Sequence, residues 1–430
     1  MHFPPGRLPA RRRFFLSVLA AWAAGAAGCG GGGGGGGNDA GGSAQARPVA
    51  TWAAVLSDLQ EDVRFLNIPA PARRAFQNET LRQTAQVSLG GDQFRIQFAN
   101  PYGKAPLPLA RVRAALSTGP GSVDVATDVA VTFQGQASVS IPPGGQVWSD
   151  AVSIRVPDGG AVAVSVYVRD AADAFSAHRY ANVVHHVGPG DLSRAAAMPL
   201  GAENQITASY WMSAIDVFRT TPARVVVAFG DSLTDGNGST LGANRRYPDL
   251  LSARLRPGMA GAPVSVVNAG LGGNRWLHDR FGPRGVDRFR RDVLAMTGVT
   301  DVIIQMGIND IGFQQAWTPD EKAMPADLMA SLSGAVAAAQ AAGVRVYLGT
   351  LTPFKGHVYF SEQGEQMRQA VNQWIRANTQ VAGVFDFDAA VRDPVEPERI
   401  LAAYRDEDHL HLNDLGYARL AEIIALDRFR

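Results

Sequence analysis

The sequence predicts an α/β fold in its C-terminal half: a parallel sheet flanked by helices, preceded by a domain resembling a β-sandwich or jelly roll. Two observations carry this expectation. After Pro222, apolar β-branched runs alternate with helical patterns. From about residue 81 to 168 the apolar period is two, and Gly- and Pro-rich turns separate the short runs. The 430 residues are enough for two cores, and a net charge of +1 gives no case for a nucleic-acid partner.

The elements follow in chain order. Arg11, Arg12 and Arg13 precede an apolar stretch of small residues at 14–28, too short for a comfortable membrane span. "AAGC" at 26–29 resembles a bacterial lipobox, although Ala26 stands where Leu is usual. Cys29 is the only cysteine, which rules out an intrachain disulfide and points to lipid attachment at Cys29. Residues 1–29 are therefore expected to be a signal peptide with a lipobox, an ordinary signal peptide with a chance Cys being the alternative. "RRFFL" at 12–16 also resembles a twin-arginine export signal. Gly30 rather than Asp follows Cys29, so export and a lipid anchor in the outer part of the cell envelope are expected. The glycine run at 30–37 opens a flexible linker, 30–48.

An accessory β-domain is expected at 49–200. Residues 51–59 read as a short helix or an extended lead-in. "TAQVSL", "GGD" and "QFRIQF" read as a hairpin, with Phe94, Ile96 and Phe98 on one face. Further strands are expected at 110–116, 129–133, 137–141, 151–156 and 161–168, separated by "STGPG", "IPPGG" and "VPDGG". No aromatic platform stands out, which favours a structural partner over a carbohydrate-binding module. Residues 201–221 read as a connection packed between the domains. His178, His185 and His186 have no assignable chemistry, and hydrogen-bonded or surface histidines are favoured over a metal site.

The second domain is expected at 222–430. Strands are predicted at 225–229, 264–268, 302–306, 344–348 and 384–387, and helices at 247–255, 287–296, 326–342 and 361–377, with a last helix from about 414. Near-continuous apolar strands suit a parallel sheet covered on both faces, in which sites form at the carboxyl ends of the strands.

Ser232 lies just past one such end, in "VVVAFGDSLTDGNGST" (225–240). A serine hydroxyl is a poor nucleophile at neutral pH. It needs a base, a group that orients the base, and donors for a developing oxyanion. "NAGLGGN" (268–274) offers the backbone N–H of Gly273, and "QMGIND" (305–310) offers the side-chain amide of Asn309. A dinucleotide fingerprint at 268–274 is disfavoured, because Arg275 stands where that motif wants Gly. "DEDHLHLNDLGY" (406–417) offers His411 with Asp408, or in the rival register His409 with Asp406.

Taken together, "GDSLTDG", "NAGLGGN", "GIND" and "DHLH" resemble, in order, the four blocks of the SGNH/GDSL hydrolases, a family of esterases and lipases. The resemblance spans 222–430. It implies a flavodoxin-like sheet, no cofactor and no metal. It also implies Ser232 as nucleophile, His411 as base and Asp408 as its orienting acid, with Ser232, Gly273 and Asn309 as oxyanion donors. Leu412 stands where the family often has Pro, and Thr234 excludes the G-x-S-x-G elbow of other hydrolases. "NRRYPD" (244–249) and "VSLGGDQFRIQFAN" (87–100) are similar to a two-domain secreted bacterial branch that includes xylan-associated esterases.

The expected protein is thus an exported serine esterase acting on carboxylic esters, first of all acetyl groups on carbohydrates. A lipase or lysophospholipase, and a glycan-binding surface lipoprotein with an idle hydrolase domain, are the alternatives. Trp276, Leu277 and Phe313 are candidates either for an acyl pocket or for plain core.

Overall fold

Consecutive apolar residues suit a strand buried on both faces. The run "VVVAF" lies in such a strand, Arg224–Gly230, with Val225 to Phe229 fully buried. The computed structural model describes residues 45–61, 63, 75–256 and 262–429. The expected signal peptide, Cys29 and most of the expected linker lie outside the described residues. The described residues belong to one compact unit.

Arg224–Gly230 stands second in a five-stranded sheet, between Val264–Gly270 and Asp301–Gln305, with Arg345–Gly349 and Gly383–Phe385 beyond. All four pairings are parallel. The strand that comes first in this part of the chain is therefore flanked by the second and the third. The winding of the chain reverses there, which leaves a crevice at the carboxyl ends of the strands. Gly230 is paired with Gly270 on one side and Gln305 on the other, so the three segments that follow these strands emerge together.

The helices Tyr247–Leu255, Pro325–Ala341, Glu362–Arg376 and Asp414–Ile423 match expectation to within one residue at each predicted end. Side-chain caps start two of them. Ser361 accepts the N–H of Gly364 at 2.9 Å, and Asn413 accepts that of Gly416 at 3.0 Å. The helix expected at 287–296 begins earlier, as Gly285–Phe289, and continues as a wider π-type turn, Arg290–Leu294. The helix Ile308–Ala316 escaped the sequence pattern. Gly307, at φ 126°, turns the chain so sharply that the helix starts almost directly after its strand.

The N-terminal half consists of antiparallel sheets. Arg47–Ala53, Met212–Arg219, Gln93–Ala99 and Gln146–Trp148 form one. The larger one contains His185–Pro189, Glu79–Gln86, Ala161–Val168 and Arg111–Gly119. One open reading is decided and two expectations change. Of the two readings of 51–59, the extended lead-in holds, since the segment begins in strand Arg47–Ala53. The expected hairpin does not form, because Glu79–Gln86 and Gln93–Ala99 belong to different sheets. The chain crosses between them at Gly90, where a Cβ would stand 2.1 Å from the carbonyl oxygen of Val156, so only glycine fits. The segment 201–221, read as a connection, supplies the strand Met212–Arg219 at the centre of the smaller sheet. Its buried Asp216, paired with Arg95 at 2.8 Å, broke the apolar alternation that would have marked it.

The two halves are joined by hydrogen bonds along the sheet edge. Ser265 donates to the Ala50 carbonyl at 2.6 Å and meets the Ser88 hydroxyl at 2.8 Å, and Ser88 accepts the N–H of Val266 at 3.1 Å. The strand Val264–Gly270, an edge of the parallel sheet, is thereby covered by the N-terminal sheets.

Candidate active site

Asp231 ends the strand and caps a single helical turn, Ser232–Asp235, by accepting the N–H of Leu233 at 3.0 Å. Gly236, at φ 97°, closes the turn. Ser232 is thus held at the carboxyl end of the sheet, where it is 4% exposed. Burial pushes the Asp231 carboxyl up to about 7, against the pull of the Leu233 N–H and the His411 ring.

His411 reaches this serine from 179 positions away, with Nε2 at 2.7 Å from Ser232 Oγ. Its Nδ1 lies 2.5 Å from Asp408 Oδ2. The other oxygen of Asp408 accepts the N–H groups of Leu410 and His411, each at 2.9 Å. Burial works against the Asp408 carboxylate. The hydrogen bond and charge of His411 and the two backbone donors outweigh it, and the carboxyl falls well below the usual carboxylate range. The rival register does not meet the serine: His409 contacts Arg405 through Nε2 at 3.2 Å. Gly238 allows the histidine loop to approach, since a Cβ there would lie 2.6 Å from the Leu412 carbonyl oxygen.

The two remaining segments are tied to this turn by buried charges that the sequence pattern did not single out. Gly273 sits at φ 73° after the strand Val264–Gly270. Asn309 opens the helix Ile308–Ala316, donates through Nδ2 to the Asn274 carbonyl at 3.0 Å, and accepts the hydroxyl of Tyr359 at 3.0 Å. Asp310 accepts the N–H groups of Trp276 and Leu277 at 2.7 and 2.8 Å, which fastens the glycine loop to the Asn309 helix. Burial raises its carboxyl to about 6, with those two donors opposing. The fully buried Arg288 donates to Gly230 O at 2.6 Å, Ala269 O at 3.0 Å and Asn274 Oδ1 at 2.7 Å. It therefore spans two strand ends and the loop that follows the second of them. Asp235 accepts the N–H of Gly272 at 3.0 Å. Asp310 and Asp235 stood inside the quoted motifs, whereas nothing local marked Arg288 or Tyr359.

Of the acyl-pocket candidates, Trp276 and Phe313 are core. Trp276 is fully buried, donates to Ser331 Oγ at 2.8 Å and packs edge-on against Phe229 and Phe289. Phe313 packs against Phe281, Trp317 and Tyr359. Leu277 is half-buried against the same core. In "NRRYPD", Tyr247 is buried and Arg246 pairs with Asp249 at 2.7 Å, so this block carries packing. Among the described residues no cluster of three or more His, Cys, Asp or Glu is placed to hold a metal ion.

A parallel α/β sheet with a serine and a histidine hydrogen-bonded at its switch point suits a carboxylic ester hydrolase, and this protein is one. Residues 228–419 match the model of the GDSL-like Lipase/Acylhydrolase family, and the chain carries a domain of that family. No curated protein matches the sequence. Among solved structures, an acetyl-xylooligosaccharide esterase from Geobacillus Stearmophilus is 24% identical with a TM-score of 0.37, over 48% of this chain and 93% of that one. A lipase/acylhydrolase from Enterococcus faecalis is 22% identical with a TM-score of 0.37, over 47% and 93%. The aryl esterase of M. Smegmatis is 18% identical with a TM-score of 0.36, over 46% and 95%.

Proposed function

We propose that the protein is an exported, lipid-anchored serine esterase that removes short acyl groups, acetyl above all, from carbohydrates. Ser232 Oγ attacks the ester carbonyl while His411 Nε2 takes its proton. Asp408 holds the imidazole and stabilises the imidazolium that forms. The N–H groups of Ser232 and Gly273 and the amide of Asn309 receive the oxyanion. His411 then returns the proton to the departing sugar hydroxyl, and water releases the acyl group from Ser232 by the same route in reverse.

The single observation that carries this reading is the continuous chain from Ser232 through His411 to Asp408, at 2.7 and 2.5 Å. The order of the five strands supports the flavodoxin-like reading of the sheet. Small acyl groups are favoured by crowding. The Phe281 ring stands 2.7 Å from where a Cβ of Gly273 would be, and the Tyr359 hydroxyl abuts Asn309, so aromatic rings fill the space beside both donors. The basic and apolar start of the chain and Cys29 support export and anchoring.

The test compares the full chain with Ser232→Ala on p-nitrophenyl acetate, butyrate and dodecanoate and on acetylated xylan, with the activity followed through cell fractions. Loss of turnover in the variant, a preference for acetate, and activity in the membrane fraction are expected. Turnover that survives Ser232→Ala refutes the serine mechanism. A preference for dodecanoate moves the substrate to lipids, and activity in the soluble fraction removes the anchor.

A further inference from the structure

His178 belongs to the N-terminal sheets, on the strand Ser176–His178, yet it is buried against the turn that carries Ser232. Its Nδ1 lies 2.9 Å from the carbonyl oxygen of Val55. Its Nε2 lies 2.9 Å from Asp235 Oδ1 and 3.1 Å from the carbonyl oxygen of Tyr180. Every one of these partners is an acceptor. Both ring nitrogens must therefore donate, so the ring is an imidazolium paired with the Asp235 carboxylate. The side chains of the pair are 6% and 2% exposed.

The carboxylate has a second task. Asp235 is the last residue of the helical turn that begins at Ser232, and its Oδ2 accepts the N–H of Gly272, the residue before Gly273. One carboxylate thus fixes the glycine loop against the serine turn, and a cation from the other half of the molecule fixes the carboxylate. Tyr180, two residues after His178, presses on the same loop: a Cβ on Gly272 would stand 2.8 Å from its Cδ2.

We propose that the N-terminal sheets are a working part of the catalytic site, with His178 as the positioning residue that sets the Gly272–Gly273 loop through Asp235. The physical reason is the cost of a buried charge. Without His178, Asp235 keeps a desolvated carboxylate with no cation in contact, and it must take up a proton or move toward water. Either change loosens the Gly272 N–H and shifts the oxyanion donor beside it. A misplacement of about 1 Å costs on the order of 10²-fold in rate. Ground-state binding, which does not use that donor, is spared.

The inference rests on the proposed roles of Ser232 and Gly273, and the experiment separates the two. The full chain is compared with His178→Ala, His178→Gln and Ser232→Ala on p-nitrophenyl acetate. Affinity for an alkylboronic acid is measured in parallel, because its tetrahedral adduct with a serine mimics the oxyanion state. His178→Ala is expected to lower kcat by roughly 10- to 100-fold with KM little changed, and to weaken boronic acid binding by a similar factor. His178→Gln, whose amide still donates to Asp235, should recover most of both. A folded His178→Ala with wild-type kcat, or with a lowered kcat and unchanged boronic acid affinity, overturns the proposal. If His178→Ala does not fold, Tyr180→Ala takes its place, since it removes the ring on Gly272 and leaves the carbonyl. It should lower kcat and boronic acid affinity together, and a variant that changes neither overturns the proposal. Activity that survives Ser232→Ala instead sinks the serine reading, an outcome the other variants cannot produce.

Discussion

An amide side chain such as Asn309 can present either its oxygen or its hydrogens to a substrate, and only the hydrogens help an oxyanion. Two neighbours choose the orientation: the Asn274 carbonyl can only accept, and the Tyr359 hydroxyl donates to Oδ1. Burial holds that phenol well above its ordinary range, so it remains a donor throughout. Tyr359→Phe keeps the ring and removes one orienting bond worth about 1 kcal/mol. The expected result is a fall of roughly 3- to 10-fold in kcat with KM nearly unchanged. That is well short of the roughly 10²–10³ typical for loss of an entire oxyanion donor. Kinetics on p-nitrophenyl acetate decide it, and an unchanged kcat would mean that the Asn274 contact suffices.

Among the elements, the loop from Leu271 to Asn274 is fixed from several directions. It is held by Asp235 at Gly272 and by Arg288 at Asn274, Asp310 grips the next turn at Trp276 and Leu277, and Phe281 lies on the loop from the segment that follows. Arg280 and Phe281 both have positive φ, at 120° and 55°, so this following segment makes an unusual turn to bring the ring back over Gly273. That turn is tied to the N-terminal half through Glu61, which accepts the N–H of Gly282 at 3.0 Å. Phe281→Ala removes the ring from beside Gly273, a proposed oxyanion donor. The ratio of dodecanoate to acetate turnover should rise in the variant. An unchanged ratio would place the limit on acyl length elsewhere.

For the whole molecule, buried histidines give stability a defined dependence on pH. His185 accepts the N–H of Thr84 at Nδ1, 3.3 Å away, and meets Ser209 Oγ at 2.8 Å through Nε2, so it is neutral in the fold. Burial, reinforced by the charges of His186 and His178, pushes it down to about 3. An unfolded chain takes up this proton near the ordinary value of about 6.5. The contribution of neutral His185 is therefore complete above about 6.5 and is lost as pH falls toward about 3. His178 acts in the opposite sense. Desolvation works against its charge, but Asp235 and the Val55 carbonyl raise it above the ordinary value. Its pair is complete below that value and weakens as pH rises through the folded one. Thermal melts between about pH 4 and 7 should show a smaller acid loss of Tm in His185→Gln than in wild type. Equal slopes would remove His185 from the acid transition.

The five strands after Pro222 and most of the helices between them were legible because each depends on local pattern: apolar runs, caps such as Ser361 and Asn413, and small residues at strand ends. The four motif blocks were legible for the same reason, since each is a few consecutive residues at the end of a strand or before a helix. The crossing at Gly90 and the strand Met212–Arg219 were not, because pairing between distant strands leaves no mark on the period of either. The resemblance had already pointed to His411 of "DHLH", which the fold brings to Ser232, but tertiary structure alone decided which carboxylates clamp the glycine loop and the turn after it. It also decided that a histidine from the other half of the chain stands behind the serine turn. A hydrogen bond between residues far apart in sequence is a property of the packed chain, so position along that chain holds no record of it.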